Sequence, residues 1–371
     1  MGVGLLDKLD FKKLFKRDKV FHENVLFVFH HQVNFVVILI GIIFIFSQRY
    51  LGEEIECTGP ATSYDKKVCL MYGAKYVNVN NELASRLPDG CTVQKNDDTD
   101  KNITAYYIWV PFVLLTCLFL VKIPRFIWKN LIERGTLECL VEVKDDKPEE
   151  EAEKILQKLQ KLRKRSVGAK YHLGFAFCEL LNLVMVLACF FLVDGLLSNK
   201  FADYAISVKQ FYSSSEDQKS NPMCMAFPTF VNCEISVRAI TGGTDKKSHL
   251  CILPHNLWNQ YYFLVLWIWW VFLITVSSLG LVYRLAGIMV AGFSREVLNL
   301  YLTPLGMFAG KGLQIDPKRE MLASDYFVIS RMVPNMKKSL IEELLKKLKP
   351  KKGYSEEKME ADKLVVEMNI D

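Results

Sequence analysis

Cysteine has the widest chemistry of any residue type in this sequence, since a thiol can pair into a disulfide, bind a metal or act as a nucleophile. The chain has 371 residues and ten cysteines, a density far below that of a small disulfide-held secreted scaffold. Six of them form two groups along the chain: Cys57, Cys69 and Cys91, then Cys224, Cys233 and Cys251. The others are Cys117, Cys139, Cys178 and Cys189. Six cysteines allow many pairings, and spacing alone does not choose among them.

The remaining reactive residues do not form an enzyme motif. Gly310-Lys311-Gly312 lacks the spacing of a phosphate-binding loop and the Ser or Thr that follows its lysine. His30 and His31 are adjacent, so they point to different faces of a helix and lack metal-ligand spacing. No nucleophile elbow occurs in the chain. We therefore expect no catalytic, cofactor-binding or metal site, and no nucleic-acid partner.

Four apolar blocks separate the polar segments that carry these cysteines. The composition, 51% hydrophobic and 24% charged, is too apolar for a disordered protein and too charged for a transporter that is nearly all membrane. At about 1.5 Å per residue, a helix of about 20 residues crosses a hydrocarbon core of about 30 Å. The sequence therefore predicts four transmembrane helices, TM1 at 27–47, TM2 at 105–124, TM3 at 173–197 and TM4 at 262–283.

The distribution of basic residues predicts the orientation of these helices. Segments 1–26, 125–172 and 284–371 contain 33 Lys and Arg in 162 residues, against 13 in the 121 residues of segments 48–104 and 198–261. Cytoplasmic loops carry an excess of Lys and Arg. We therefore expect a cytoplasmic N-terminal segment (1–26), cytoplasmic loop (125–172) and C-terminal domain (284–371), with extracellular loops at 48–104 and 198–261.

One group of three cysteines falls in each predicted extracellular loop. Oxidised pairs are typical of an extracellular compartment, and links between the loops would brace a small domain that has little core of its own. Scattered free thiols are the alternative interpretation. The sequon Asn102-Ile103-Thr104 also falls in an extracellular loop, which makes Asn102 a candidate for glycosylation close to the start of TM2.

The start of TM2 resembles the signature of the innexins, the invertebrate gap-junction channel family, in which YYQWV is followed by Pro. Here Ile108 stands where that family usually has Gln. Other segments resemble innexins in the same order along residues 20–335: Gln48 to Cys57, Pro124-Arg125 with Trp128, Cys251 to Asn256, Leu266 to Trp269 and Ser324 to Val328. The tight cysteine spacing of connexins is absent. The signature residues here are Tyr106, Tyr107, Trp109 and Pro111.

This resemblance implies an all-α, four-helix polytopic membrane protein with a small disulfide-braced extracellular domain and a helical cytoplasmic domain. It also implies an octameric homo-oligomer at the plasma membrane that docks with a second ring on a neighbouring cell. The family typically has two cysteines in each extracellular loop, whereas this chain has three. By position, Cys57, Cys69, Cys233 and Cys251 match the family set, which leaves Cys91 and Cys224 as a candidate extra pair.

Three groups of residues are candidates for the pore. Glu53, Glu54 and Glu56 follow TM1 and would form acidic rings at the outer mouth of an assembly, with a plain solvated loop as the alternative. Asn34 in TM1 either lines the pore or bonds to another helix. The amphipathic N-terminal segment resembles the innexin pore entrance, and a helix on the membrane surface is the alternative. Its leading pore candidates are Gly2, Val3, Leu5 and Asp7.

The signature residues of TM2 have two interpretations each. The rings of Tyr106, Tyr107 and Trp109 suit anchoring at the level of the lipid headgroups. Pro111 removes an internal helix hydrogen bond, so we expect either a static kink or a hinge that couples the extracellular domain to the pore.

Two cytoplasmic segments have the periodicity of amphipathic helices. In Glu149–Ser166 the acids come first and the bases last, which complements the helix dipole, and in Ser339–Leu348 the leucines share one face. We expect both to pack in a cytoplasmic domain. The basic runs Arg163-Lys164-Arg165 and Lys346–Lys352 could instead attract calmodulin or anionic membrane lipids.

The resemblance to innexins implies a pore-forming gap-junction subunit that passes ions and small metabolites between adjacent cells. One alternative is an undocked hemichannel that releases small solutes. Another, of a different class, is a four-span adhesion or scaffold protein without a pore. The cysteine motifs of tetraspanins and claudins are absent, which disfavours that class.

Overall fold

The chain divides by its contacts into two compact units. The computed structural model describes residues 23–51, 55–72, 75–76, 91, 109–141, 147–164, 167–213, 221–238, 242–289 and 323–348. The first unit, here called the disulfide unit, comprises Leu26–Arg125 and Glu179–Leu279. The second, here called the tail unit, comprises Met1–Val25, Phe126–Cys178 and Gly280–Asp371.

Four helices are long and apolar enough to cross a membrane. Each contains one of the four apolar blocks, because a helix satisfies the backbone polar groups of such a block without water. The prediction of a mostly helical, four-span membrane protein is confirmed. Their bounds are Val25–Ser47 for span 1, Val110–Glu133 for span 2, Val167–Leu196 for span 3 and Pro254–Ala286 for span 4.

Spans 1 and 2 each contain a π-helical turn. In span 1 the turn is Phe29–Val33, and its wider ring pairs the Asn34 N–H with the Phe29 carbonyl. In span 2 the turn is Trp128–Glu133, after which Arg134 takes a left-handed conformation and ends the helix. A π-turn inserts one residue into the hydrogen-bond ladder and leaves a carbonyl for a side chain.

The disulfide unit contains a four-stranded sheet in the order β1-β4-β3-β2, which the all-helical expectation did not include. All three strand pairings are antiparallel. Val231, Cys233 and Ile235 alternate with more exposed residues along β3, so one face of the sheet is buried. The strands are β1 (Glu56–Cys57), β2 (Lys75–Tyr76), β3 (Phe230–Arg238) and β4 (Thr244–Ile252).

Short helices complete the disulfide unit around an aromatic core. They are α1 (Ser63–Tyr72), and later in the chain two helices between span 3 and β3, Tyr204–Ser213 and Pro222–Ala226. Trp270 of span 4 is fully buried and lies edge-on to Phe201, with ring centres 6.0 Å apart. The Tyr204 hydroxyl donates to the Gln260 carbonyl at 3.1 Å, and burial raises the pKa of this phenol, so it remains a neutral donor.

The tail unit is helical in its described residues. Trp128 is buried against Phe175, with ring centres 4.8 Å apart, and forms part of its core. The two amphipathic helices expected here are present and pack on each other, and Ile155 and Leu344 on their apolar faces are buried. In the tail unit, the described α-helices outside the spans are α2 (Thr136–Val141), α3 (Pro148–Lys164), α6 (Ala323–Met332) and α7 (Lys338–Leu348). The labels α4 and α5 denote the helices Tyr204–Ser213 and Pro222–Ala226 of the disulfide unit.

Candidate functional site

The six cysteines of the two predicted loops form three disulfides in the disulfide unit. Each joins a segment before span 2 to a segment after span 3, across 194, 164 and 133 residues of sequence. The Cα atoms of the three pairs are 4.0, 5.7 and 5.2 Å apart. The other four cysteines take no part in a disulfide. The pairs are Cys57–Cys251, Cys69–Cys233 and Cys91–Cys224.

The sheet determines how two of these disulfides form. Cys57 on β1 lies directly opposite Cys251 on β4, so the first pair closes across neighbouring strands. Cys233 lies on the buried face of β3 and reaches Cys69 on α1, so the second pair fastens that helix to the sheet. Crosslinks that close long loops restrict the unfolded chain most.

A reciprocal cap starts helix α1. The Thr62 N–H donates to Asp65 Oδ2 at 2.9 Å, and the Asp65 N–H donates to the Thr62 hydroxyl at 3.2 Å. This is the capping-box arrangement, with Asp in the usual Glu position. The bonds from Thr62, backbone first, lower the pKa of Asp65 from its ordinary value of 3.8. The cap helps to position Cys69, which lies about two turns further along α1.

Polar groups from spans 1, 2 and 4 meet inside the disulfide unit, and we call this cluster the polar junction. His30 Nε2 lies 2.6 Å from the Ser277 hydroxyl, and both side chains are buried. Lys122 Nζ donates to the His31 carbonyl at 2.7 Å, within the π-turn, and lies 3.9 Å from the centre of the Phe35 ring. Polar and charged groups at membrane depth have to find partners of this kind.

Asn34 joins span 1 to span 4 in the same region. Its Oδ1 accepts hydrogen bonds from two consecutive indoles, Trp269 Nε1 at 3.1 Å and Trp270 Nε1 at 3.0 Å. The side chain is fully buried within the chain. These contacts favour the interhelical interpretation of Asn34 over a place on the pore wall.

The structure describes only part of the TM2 signature. Trp109 is exposed and packs on Phe112, with ring centres 6.1 Å apart. Pro111 lies in the first turn of the helix that begins at Val110. A proline there removes no internal hydrogen bond, because the first N–H groups of a helix have no helical partner. The expectation that Pro111 removes a hydrogen bond inside TM2 is therefore wrong.

Several predicted site residues fall outside the described part of the chain. Glu56 is described and lies exposed on β1, opposite Ile252 of β4. Asn182, a second polar residue inside a span, is buried in span 3. Those that lie outside the described residues are Gly2, Val3, Leu5, Asp7, Glu53, Glu54, Asn102, Tyr106, Tyr107 and, from the basic runs, Arg165 and Lys349 to Lys352.

Two basic residues of helix α7, Lys346 and Lys347, contact acidic residues. Lys347 Nζ lies 3.3 Å from Glu153 Oε2 and 3.0 Å from the Glu149 carbonyl, both on α3. Lys346 Nζ lies 2.6 Å from Glu343 Oε1, and this hydrogen bond raises the pKa of Lys346. The apolar face of α7 is buried against α3.

Sequence reasoning missed an aromatic and cationic cluster in the tail unit. The guanidinium carbons of Arg284 and Arg331 lie 4.9 and 5.3 Å from the centre of the Phe327 ring. Both also face Phe175, and His172 stacks on Phe327 with ring centres 4.3 Å apart. The cluster attaches helix α6 to spans 3 and 4. In the sequence, only the innexin-like segment Ser324 to Val328 points to this region. The other members of the cluster cannot be associated with it, because they lie far away along the chain.

Four apolar spans, together with a cystine-braced sheet built from two separate segments, define a multi-pass membrane protein with a folded domain outside the hydrocarbon. The sequence model of the innexin family matches residues 23–351. Innexin inx4 of Drosophila melanogaster is 27% identical over 339 residues, which cover 88% of this chain and 90% of the relative. Innexin inx2 of Schistocerca americana is 27% identical over 358 residues, or 92% and 97% of the two chains.

A third relative, innexin shaking-B of Drosophila melanogaster, is 23% identical over 355 residues that cover 93% of this chain and 94% of its own. Because the family model matches most of its length, the chain belongs to the innexin family. It is accordingly a gap-junction channel subunit, a multi-pass protein of the plasma membrane at cell junctions, in a family of channel proteins rather than enzymes. The predicted family and cellular location are confirmed.

Proposed function

We propose that this chain forms the pore of a gap-junction channel that passes ions and small metabolites between the cytoplasms of adjacent cells. One observation carries the proposal: strands from two distant segments form a single sheet, closed by Cys57–Cys251 and Cys69–Cys233, on a four-span chain. A rigid domain of this kind suits docking, because little ordering entropy is lost when a preorganised surface binds its partner.

In this proposal the disulfide-bonded sheet is extracellular and both termini are cytoplasmic. The density of Lys and Arg in segments 1–26, 125–172 and 284–371 supports that orientation. The disulfides support it independently, since cystines persist in an oxidising compartment. Epitope tags at each end, stained with and without permeabilisation, test it. Staining of either tag in intact cells would place that terminus outside the cell and contradict the proposed orientation.

The subunits form an octameric ring, and two rings dock through the sheets. Closed rotational symmetry around a central pore is the ordinary arrangement for identical subunits. Single-particle imaging of the purified protein tests the number of subunits. A closed ring with another count would correct the octamer, whereas monomers would remove the pore.

The N-terminal residues Gly2, Val3, Leu5 and Asp7 form the cytoplasmic constriction, and Glu53, Glu54 and Glu56 form acidic rings at the outer mouth. Glu56 is exposed on β1, which leaves its carboxylate available to a permeating cation. Neutralising all three acids with Gln should reduce the preference for cations over anions in single-cell recordings. An unchanged reversal potential in asymmetric salt would exclude the rings.

Pro111 acts in gating at the start of span 2, in the same unit as the disulfide-bonded sheet that is proposed for docking. Because it starts the helix rather than interrupting it, exchange for Ala keeps the helix and frees only the entry angle of the chain. We expect Pro111→Ala to alter the voltage dependence of the current. Unchanged gating would leave Pro111 with a structural role only.

The basic runs have a membrane-facing role in this proposal. Calmodulin grips the apolar face of a target helix, and that face of α7 is buried against α3. Anionic lipid needs only the charges, so lipid is the partner that the packing favours. Binding of the purified protein to vesicles with and without phosphatidylserine tests this, and calcium-dependent calmodulin binding would contradict it.

Dye transfer between paired expressing cells, with single-cell conductance recorded alongside, tests the proposed function. Transfer between both cells supports the docked channel. Conductance confined to single cells supports the undocked hemichannel. Neither signal, with the protein present at the surface, supports an adhesion or scaffold protein.

A further inference from the structure

Two of the three disulfides lie side by side beneath the sheet. The Sγ atoms of Cys69, Cys233 and Cys251 all lie within 4.8 Å of one another. Cys69 and Cys233 are bonded to each other, so Cys251 is the sulfur of the first pair that faces the second pair. Sulfurs held in disulfides are not thiolate ligands, which excludes a metal site as long as both bonds are intact.

Access to the two pairs is uneven. Cys69, Cys233 and Cys251 are buried, at 2%, 1% and 0% exposure, whereas Cys57 is half-buried near the edge of the sheet. A dissolved thiol therefore reaches Cys57 before it reaches the other three sulfurs. Attack at Cys57 makes Cys251 the leaving group, which is the sulfur closest to the second pair.

We propose that the four cysteines form an exchange relay, in which opening the Cys57–Cys251 bond moves the free thiolate onto the second pair. A small external thiolate attacks Cys57 Sγ and forms a mixed disulfide, and the electron pair of the broken bond goes to Cys251 Sγ. The Cys251 thiolate then attacks the Cys69–Cys233 bond. One of those two sulfurs bonds to Cys251, and the other leaves as the new thiolate.

The relay consumes one external thiolate and releases one protein thiolate, so no oxidant is required. It changes which segments are joined, because β1 loses its bond to β4 and either α1 or β3 gains a bond to β4. Cys91–Cys224 is not part of the cluster and provides an internal comparison. The relay extends beyond channel function and does not depend on it.

Peptide mapping of the thiol-treated native protein tests the relay. The purified full chain is pulsed with reduced glutathione at neutral pH, blocked with N-ethylmaleimide and digested without reduction. We expect glutathione on Cys57 and N-ethylmaleimide on Cys69 or Cys233. Cys251 should carry no label, because it forms a new crosslink to the other cysteine of the second pair. Label on Cys251 with Cys69–Cys233 intact would overturn the relay, and so would the absence of glutathione on Cys57.

Two paired variants sharpen the result. In C69S/C233S the second pair is missing, so the thiolate should stay on Cys251 and take the label there. In C91S/C224S the relay is intact, so the labelling pattern should match that of the wild type. If the first variant does not fold, the wild-type crosslink map still decides the outcome. Equal labelling of Cys251 in both variants would contradict the relay.

Discussion

At the scale of single residues, the most informative position is Asn34, one amide that accepts from two indoles. Trp269 and Trp270 are adjacent, and both direct their N–H groups to the same oxygen. The sequence indicates a buried polar role for Asn34, because an amide at membrane depth needs a partner. It does not reveal the partner, since the two indoles lie more than 230 residues away along the chain.

We expect Asn34→Leu to lower stability, because it leaves the buried Trp270 N–H and the half-buried Trp269 N–H without an acceptor. The loss should be about 1–3 kcal/mol, given the cost of unsatisfied buried groups and the modest strength of bonds between membrane helices. Thermal unfolding in detergent measures it. Thr275→Val is the matched control in span 4, since that hydroxyl is exposed and bonds only to its own helix. Equal midpoints for the two variants would contradict the account.

Asp65 makes the stability of the disulfide unit sensitive to acid. Hydrogen bonds from Thr62 lower its pKa in the folded state below the ordinary value of 3.8. The charged carboxylate thus contributes stability above about pH 4, and this contribution is lost as pH falls through the lowered pKa. We expect Asp65→Asn to reduce the fall in melting temperature between about pH 5 and about pH 3.

A thermal melt at each pH measures this effect for Asp65→Asn against the wild type. Thr62→Val serves as the companion variant, because it keeps the backbone N–H that donates to Asp65 but loses the reciprocal bond. It should retain more of the acid dependence than Asp65→Asn. Identical pH profiles for all three proteins would contradict the role of this cap.

At the scale of helices and strands, the close approach of spans 1 and 4 depends on a glycine. The Tyr262 ring lies against the backbone of Gly41, where a methyl group would overlap it, and its hydroxyl lies 3.5 Å from the Val37 carbonyl. Small residues let membrane helices come this close. Gly41 was not singled out from the sequence, because a glycine in an apolar run gives no sign of which ring covers it.

We expect Gly41→Ala to destabilise the protein by about 1–3 kcal/mol through overpacking. Tyr262→Ala in the same chain should restore part of the loss, because it removes the obstructing ring. Gly195→Ala in span 3 is the control, since nothing lies within 4 Å of the added methyl group, and alanine should stabilise that helix by about 0.5–1 kcal/mol. Thermal unfolding in detergent measures both effects. Equal changes in midpoint for Gly41→Ala and Gly195→Ala would contradict the close approach of spans 1 and 4.

Helices and strands differ in how far the sequence predicts them here. The spans follow from composition, because a run of about 20 apolar residues has few alternatives in a membrane. The sheet was missed, although Val231, Cys233 and Ile235 alternate with more polar residues as a half-buried strand should. Its partner strand β4 does not alternate in this way, because residues 244–248 are all exposed. Pairing with β3, rather than its own pattern, makes this segment a strand.

At the scale of the whole molecule, the cysteines connect local structure to the proposed function. Their division between two loops was visible in the sequence, but the pairing depended on the register that places Cys57 opposite Cys251. The innexin resemblance extends along most of the chain, and the family match over residues 23–351 agrees with it. What the sequence could not provide is the packing between distant segments, because pairs such as His30 and Ser277 meet only in the folded chain.

The central claim is that this chain alone forms a channel that docks between cells. Junctional current between two voltage-clamped cells measures it most directly, in cells without connexins or other innexins. We predict junctional conductance when both cells express the chain and none when only one does, because docking needs a ring on each side. Absence of junctional current between two expressing cells, with the protein detected at their shared border, would contradict the account.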